Sequence, residues 1–148
     1  MRLDISQKAL RFSLDFTQNT ATEGQVMSIP GNNHKINYIE FTSSDISKTK
    51  NFYSTVFGWN FEDWGPDYIS FGAASAGVDG GFMRGNSQSG DSQRGGPLVV
   101  LYATDLAATE KAIVAAGGSI TVPTFEFPGG HRFHFSDGAG NHLAVWSE

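Results

Sequence analysis

The 148-residue sequence contains no cysteine and no long apolar run. The lack of cysteine excludes disulfides, thiolate nucleophiles and sulfur-ligated metals, so any metal ion would need histidine or carboxylate ligands. This composition fits a cytoplasmic location. Arg2 and Lys8 are isolated cations, and no apolar stretch near them has the length of a secretory signal or a membrane span. We therefore expect a protein that is neither exported nor bound to a membrane.

Positive charge is also scarce. Charged residues make up 17% of the chain, the formal net charge is -5, and lysine and arginine form no cluster. A nucleic-acid-binding domain needs a basic surface that neutralises phosphates, so nucleic acid is not an expected partner. Glycine, in contrast, is abundant, with 18 residues. This composition favours short strands joined by many turns, in an α+β or mostly β architecture.

Residues 1–35 differ from the rest of the chain and are predicted to form an N-terminal extension with one strand. Apolar and polar residues alternate strictly over residues 10–17, with Leu10 and Phe16 at the two ends of the apolar face. Residues 19–33 have the composition of a linker. The extension is either upstream sequence without function or an added strand that covers a sheet edge, in its own chain or a partner's. The alternation favours the added strand.

From residue 36 onward the sequence repeats one pattern of elements. Asp45 and Gly58 bracket a segment with apolar residues at helical spacing, and Asp105 and Gly118 bracket another at the same Asp-to-Gly spacing. Aspartate is a preferred N-cap, and glycine readily adopts the left-handed conformation that follows a helix. The sequence therefore predicts two capped helices, one in each half.

Each predicted helix is flanked by segments with the character of strands. The first half begins with alternation around Ile39 and Phe41. Further strands are predicted at residues 68–71, 78–83, 98–102, 119–122, 132–135 and 142–146. The predicted fold class is α+β, with two tandem β-α-β-β-β modules in one domain of residues 36–148. Module one takes residues 36–84, module two takes residues 98–148, and a flexible linker of residues 85–97 joins them.

Three segments together resemble a known superfamily. They are the run INYIEFTSSDISKTKNFYSTVFGW from Ile36, the helix break from Ala115 to Gly118, and the closing DGAGNHLAVW. The sequence resembles the vicinal oxygen chelate superfamily, which includes glyoxalase I, bleomycin and fosfomycin resistance proteins and extradiol dioxygenases. The resemblance extends from Ile36 to Trp146. It implies that the mixed sheets of the two modules curl around a shared cleft, and that the protein forms a homodimer.

The resemblance also implies where a metal would be held, and this sequence departs from the family there. The four matching positions fall on Tyr38, Val99, Ala144 and a site near Gly81. A divalent metal needs several nitrogen or oxygen ligands that converge on one point, and these side chains supply none at neutral pH. Glyoxalase chemistry also needs a carboxylate base, and Ala144 occupies the usual carboxylate position. We therefore expect no metal and no other cofactor.

Strand alternation identifies the side chains that line the cleft instead. If Ile39 and Phe41 point toward the helices, together with their counterparts in module two, their neighbours face the opposite way. The predicted ligand-binding residues are Tyr38, Glu40, Thr42, Met83, Arg132, His134, His142, Ala144 and Trp146. In fosfomycin resistance proteins the positions that match Arg132 and His134 face the pocket, which agrees with this assignment.

The predicted lining residues have alternative roles. Arg132 could bind a carboxylate or phosphate through two parallel hydrogen bonds, or it could pair with Glu40; a ligand that displaced the pair would reconcile the two. His134 and His142 could form an acid-base couple, or a metal pair with Glu40, although strand histidines are more often structural. Trp146, with Tyr38 and Met83, could form an apolar floor for a planar ligand or simply belong to the core.

Three hypotheses on function follow. In the first, the protein binds a small organic ligand in the cleft without a metal, and Arg132 holds an anionic group. In the second, it is a glyoxalase-like lyase or isomerase in which Glu40, His134 and His142 are the catalytic candidates. In the third, it is an interaction module with a vestigial cleft. Whether the protein is an enzyme stays open at the level of sequence.

Overall fold

A computed structural model describes residues 34–86 and 96–148 of the chain. Its contacts divide the chain into two units, Met1–Lys35 and Ile36–Glu148, and all helices and strands of the described residues belong to the second unit. The strand expected within residues 10–17 and the linker expected at 19–33 lie outside the described residues. Most of the expected loop at 85–97 lies outside them as well.

The second unit contains two β-α-β-β-β modules, as predicted. The first module has strands β1 (Tyr38–Ser43), β2 (Phe61–Asp63), β3 (Tyr68–Phe71) and β4 (Asp79–Arg84), with helices α1 (Ile46–Phe57) and α2 (Ala73–Ala76). The second has β5 (Val100–Tyr102), α3 (Leu106–Ala115), β6 (Ser119–Phe127), β7 (Gly130–Ser136) and β8 (His142–Ser147). Each module forms one mixed four-stranded sheet, in the order β1-β4-β3-β2 or β5-β8-β7-β6, and the first-named pair of each sheet is parallel. None of the helices in the described residues is long and apolar enough to cross a membrane.

Both N-caps and the glycine end of α1 agree with the prediction, whereas the C-cap of α3 is Ala116 and the left-handed residue after it is Gly117 instead of Gly118. The side chain of Asp45 accepts a hydrogen bond from the Lys48 backbone at 3.0 Å, and that of Asp105 accepts one from the Ala108 backbone at 2.9 Å. Gly58 ends α1 in the left-handed conformation, at φ 69°. The two aspartate bonds satisfy amide groups of the first helical turn that have no partner within the helix.

The largest departure from the predicted strand boundaries is in β6. β6 continues to Phe127 instead of stopping at Val122, and its pairing with β7 shifts register twice around Pro123. Proline lacks an amide hydrogen, so it marks a strand end in sequence; at an edge strand with bulges it is tolerated. The sequence patterns also missed the short elements β2 and α2, and β5 begins at Val100 instead of residue 98.

Both modules contribute side chains to one apolar core. The prediction that Phe41 and its counterparts face the helices is confirmed, since Phe133, Phe135, Leu143 and Val145 are completely buried. Across the modules, the ring of Phe52 in α1 stacks on that of Phe135 in β7, with centroids 6.1 Å apart.

The turn between β7 and β8 ties the modules together at a second point. The Asn141 side chain donates a hydrogen bond to the Thr42 carbonyl oxygen at 2.8 Å, and the Ser44 amide donates to the Ala139 carbonyl at 3.1 Å. Both bonds connect residues far apart in the chain. They fix the end of β1 against module two.

Candidate functional site

The predicted site residues lie on the faces of the two sheets that point away from the core. Tyr38, Glu40, Thr42 and Met83 belong to the open face of the first sheet, where the strand register also places Ser70, Tyr68 and Gly81. Arg132, His134, His142, Ala144 and Trp146 belong to the open face of the second sheet, with Val100 and Tyr102. No strand of one sheet pairs with a strand of the other. The predicted lining residues therefore come from both sheets, four from the first and five from the second.

Arg132 is the only arginine or lysine on the open face of the second sheet among the described residues, and aromatic rings surround it. Its guanidinium carbon lies 5.1 Å from the ring centre of Phe125 and 5.4 Å from that of Phe127. Such contacts attract a cation to the negative face of the ring. The ion pairs of the described residues do not include one between Arg132 and Glu40.

Two buried nitrogen atoms on this face have no hydrogen-bond partner among the described residues. They are Nε of Arg132 and Nε2 of His134. Burial lowers the pKa of His134, and the positive charge of Arg132 lowers it further, so the imidazole is neutral at pH 7. A buried donor or acceptor without a partner costs about 1–3 kcal/mol, and native proteins satisfy nearly all such atoms. Each of these two nitrogen atoms therefore lacks a polar partner. A bound molecule can supply one.

Aromatic and aliphatic side chains extend this face. Trp146 makes edge contacts with Tyr102 and Phe127, at centroid distances of 5.2 and 6.2 Å. Tyr102 is 52% exposed and Val100 is 40% exposed. Ala144, in contrast, is 0% exposed, so the small residue at the expected carboxylate position does not leave an open gap.

The two histidines of this face are diagonal neighbours on paired strands. His134 lies opposite Ala144, and His142 lies opposite Ser136. Diagonal positions in an antiparallel pair are about 7–8 Å apart, so one small ligand can span both rings. Glu40, the third member of the expected metal group, belongs to the other sheet. Within the described residues no set of three or more histidine, aspartate or glutamate side chains is placed to hold a metal ion.

On the open face of the first sheet, Tyr38, Tyr68 and Glu40 form a hydrogen-bonded chain. The hydroxyl groups of Tyr38 and Tyr68 are bonded to each other, and Tyr68 donates to Glu40 Oε2 at 3.4 Å. Partial burial raises the pKa of Glu40, and the bond from Tyr68 opposes this effect. Burial also raises the pKa of both phenols, so they remain protonated donors at neutral pH.

Gly81 makes this chain possible. A Cβ atom at Gly81 would lie 2.3 Å from the hydroxyl oxygen of Tyr68 and 2.8 Å from the Ile69 carbonyl oxygen. The phenol of Tyr68 therefore crosses β4 in the space that a side chain would fill. Met83 pairs with Tyr68 in the strand register and with Thr42 on the other side.

The metal that the family resemblance implied does not fit the residues present. Tyr38 is bonded to Tyr68, Ala144 is buried, and Gly81 has no room for a ligating side chain. The fourth position, Val99, carries an aliphatic side chain and accepts the Ala144 amide hydrogen bond through its carbonyl. No side chain at these four positions is a usual metal ligand at neutral pH.

A surface depression of about 220 Å³ lies elsewhere, on the helix side of the second sheet beside α3. Glu110, His131 and Glu148 are among its lining residues. It contains no buried polar atom without a partner, so it has a weaker claim to a binding role than the open face.

Several residues of these faces were missed in the sequence. Tyr68 was assigned to a strand, and alternation with Ile69 could have placed it on the open face. Phe125 and Phe127 alternate with Glu126, but Pro123 concealed the strand that carries them. Trp64, whose Nε1 donates to Ser70 Oγ at 3.0 Å, follows a strand too short to detect.

Comparison with known proteins agrees with this architecture. The family model described as Glyoxalase/Bleomycin resistance protein/Dioxygenase superfamily matches residues 35–145. The chain therefore belongs to this superfamily. A comparison with curated proteins found no match to the sequence.

Similar solved structures include a glyoxalase/bleomycin resistance protein/dioxygenase family enzyme from Burkholderia phytofirmans, at 15% identity and TM-score 0.60, covering 74% of this chain and 94% of that one. A glyoxalase-related enzyme from Fulvimarina pelagi has 19% identity and TM-score 0.61, with coverage of 76% and 87%. A mutant of the fosfomycin resistance protein of Listeria monocytogenes, complexed with Mn(II) and 1S,2S-dihydroxypropylphosphonic acid, has 18% identity and TM-score 0.61, with coverage of 80% and 90%. At these identities the likeness shows the fold alone.

Proposed function

We propose that the protein binds a small organic anion on the open face of the second sheet and that it does so without a metal. The observation that carries the proposal is the pair of buried, unpartnered nitrogen atoms on Arg132 and His134. Two carboxylate or phosphonate oxygens can satisfy the guanidinium, and charge-assisted bonds of this kind are roughly twice as strong as neutral ones. Binding at this face would remove the cost of the two unpaired atoms.

The environment of Arg132 supports a ligand with one negative charge and an apolar body. Arg132 is the single formal cation of this group, because His134 is neutral at pH 7. The rings of Phe125, Phe127 and Trp146 provide flat apolar surface beside it. Aromatic pairs add about 0.5–1.5 kcal/mol beyond the area they bury. A planar carboxylate combines both features, and the phosphonate bound by the Listeria relative is also a small organic anion.

A thermal-shift screen tests the proposal with benzoate, 2-naphthoate and methylphosphonate as probes. We expect at least one anion to raise Tm in wild type and to lose this effect in Arg132→Met, which keeps an apolar stem over the phenyl rings. Arg84→Met is the matched control, since Arg84 is an exposed cation paired with Asp67. Equal responses in the two variants, or no response in wild type at millimolar ligand, would rule the proposal out.

The proposal includes a homodimer. Tyr102, Val100 and Val122 expose apolar surface around the site, and among the described strands β5 is an edge strand that pairs on one side only, with β8. Burying such surface against a second copy would also enclose the ligand. Sedimentation equilibrium should give twice the 16.0 kDa chain mass. Tyr102→Glu should shift the mass toward the monomer, whereas Val114→Glu, on the outer side of α3, should not.

An enzymatic role is the second candidate, and the raised pKa of Glu40 is the observation that favours it. Acid-base catalysis favours a carboxyl group whose pKa is shifted toward the working pH, and the upward shift of the Glu40 pKa has this direction. A lyase or isomerase would use Glu40, His134 or His142. Turnover of the methylglyoxal-glutathione adduct that disappears in Glu40→Gln would support this candidate over simple binding. If the wild-type protein responds to no ligand and shows no turnover, the third hypothesis, an interaction module with a vestigial cleft, is the one that remains.

A further inference from the structure

The chain of Tyr38, Tyr68 and Glu40 lies outside the Arg132 group, and the anion proposal makes no use of it. Tyr68 is 8% exposed, while Glu40, the last member of this hydrogen-bonded series of side chains, is exposed to solvent. Tyr68 satisfies one acceptor position of the Glu40 carboxylate. An ionised carboxylate offers about four such positions, so Glu40 retains acceptor capacity toward solvent.

No described cation neutralises this carboxylate. The ion pairs of the first module join Lys50 to Asp63, Arg84 to Asp67 and Lys48 to Asp45. The strand register places Glu62 in the same row as Glu40, across Ser70 and Gly81. The open face of the first sheet is therefore negative, opposite in sign to the Arg132 group.

Aromatic rings border the same carboxylate. The phenol of Tyr68 lies across Gly81, directly beside Glu40 in the register, and Tyr38 is bonded to it. Farther along the face, Trp64 is 45% exposed and is held in place by its hydrogen bond to Ser70. A carboxylate next to aromatic rings is the arrangement that recognises organic ammonium ions, since the charge attracts the cation and the ring faces stabilise it.

We propose that the open face of the first sheet binds a small organic cation, an amine or quaternary ammonium ion, through Glu40 and the rings of Tyr38 and Trp64, while the buried Tyr68 holds the Glu40 carboxylate in place. This site lies on the other sheet from the anion site and takes a ligand of opposite charge. The phenols place their hydroxyl groups at one side of the carboxylate, and the ammonium group would occupy the solvent side. Alkyl or aryl substituents of the cation would then contact the exposed indole of Trp64.

Titration of tryptophan fluorescence with choline and benzyltrimethylammonium tests the site, and 3,3-dimethyl-1-butanol serves as the uncharged analogue of choline. We expect saturable binding of the cations and none of the alcohol. Glu40→Gln should weaken binding about tenfold or more, as expected for losing a charged partner worth about 1.4 kcal/mol. Glu62→Gln, which removes the same charge from the same row, should change the affinity less than about twofold.

Each further outcome has a definite meaning. Equal losses in Glu40→Gln and Glu62→Gln would show nonspecific attraction to a negative surface and overturn the proposal. Equal binding of the alcohol, or no saturable change with either cation, would overturn it as well. Tyr68→Phe keeps the ring but removes the hydroxyl, and it should weaken binding less than Glu40→Gln. Arg132→Met should leave cation binding unchanged, so that failure of the anion proposal and failure of this one are distinguished.

Discussion

The phenolic hydroxyl of Tyr53 donates a 3.0 Å hydrogen bond to the carboxylate of Asp137, and both residues are buried. This bond joins α1 of module one to the β7–β8 turn of module two. Asp137 also accepts hydrogen bonds from the backbone amides of Ala139 and Asn141 and from the Asn141 side chain. A buried carboxylate with four donors is satisfied, and it holds the turn that supports the Arg132 strand.

Tyr53→Phe tests this junction. The change removes one hydrogen bond to a charged group, and we expect the free energy of unfolding to fall by about 1.5–3 kcal/mol. Urea denaturation measures the loss. Lys50→Met breaks the exposed ion pair with Asp63 and should cost about 1 kcal/mol or less. A loss in Tyr53→Phe no greater than in that control would contradict the role of the junction.

Gly81→Ala tests the packing of Tyr68. The added methyl group would lie 2.8 Å from the Ile69 backbone carbonyl as well as against the phenol, so rotation of Tyr68 alone cannot make room for it. We expect a destabilisation of about 1–3 kcal/mol, typical of overpacking. Gly72→Ala, where the nearest atom is 3.9 Å away, is the matched control and should be close to neutral. Comparable stability of the two variants would show that Tyr68 does not occupy this space.

His134 should make stability depend on pH. Because the pKa of His134 is lowered below 6.5 in the folded state, folding favours the neutral ring. The contribution of this neutral ring to the free energy of unfolding is complete above pH 6.5. The contribution is lost as pH falls from 6.5 through the lowered pKa. Arg132 is the charged group beside it, and Ala144 and Val122 face it from the paired strands. Urea denaturation should show a larger loss of stability from pH 7.5 to 5 in wild type than in His134→Gln; an equal loss would contradict the assignment.

The two predicted N-caps offer a further test. Asp45→Ala and Asp105→Ala each remove a side-chain bond to a first-turn amide, and each should cost about 1 kcal/mol. Chemical denaturation of the two variants measures the cost. Glu62→Ala, which removes an exposed carboxylate of β2 away from any helix start, is the comparison. A cap variant no less stable than Glu62→Ala would show that its capping bond is unimportant.

Local patterns in the sequence were sufficient for the modules, the helix N-caps and the inward faces of the strands. Helix caps depend on neighbouring residues, and strand alternation needs only a period of two. These patterns do not specify which strands pair or which faces meet, because those contacts join distant parts of the chain. Arg132 and Glu40, considered as a pair from sequence, belong to different sheets, and no sequence pattern specifies how those sheets are placed.

The same limit explains the contacts that were missed. Tyr68 reaches Glu40 only because Gly81 lies between them in the register, and a register is set by tertiary structure. Phe125 and Phe127 flank Arg132 through the bulged part of β6, which a proline concealed. The sequence was sufficient to predict that the four family metal positions carry no usual ligand. It was not sufficient to predict which side chains surround those positions.

Isothermal titration calorimetry of 2-naphthoate, compared with 2-naphthamide, tests the central claim most directly. The two probes share one ring system and differ in charge at the group that Arg132 would bind. We predict that wild type binds the carboxylate at least about tenfold more tightly than the amide, and that Arg132→Met abolishes the preference while Arg84→Met retains it. Equal affinities for the two probes in wild type, or a preference that survives Arg132→Met, would contradict the account.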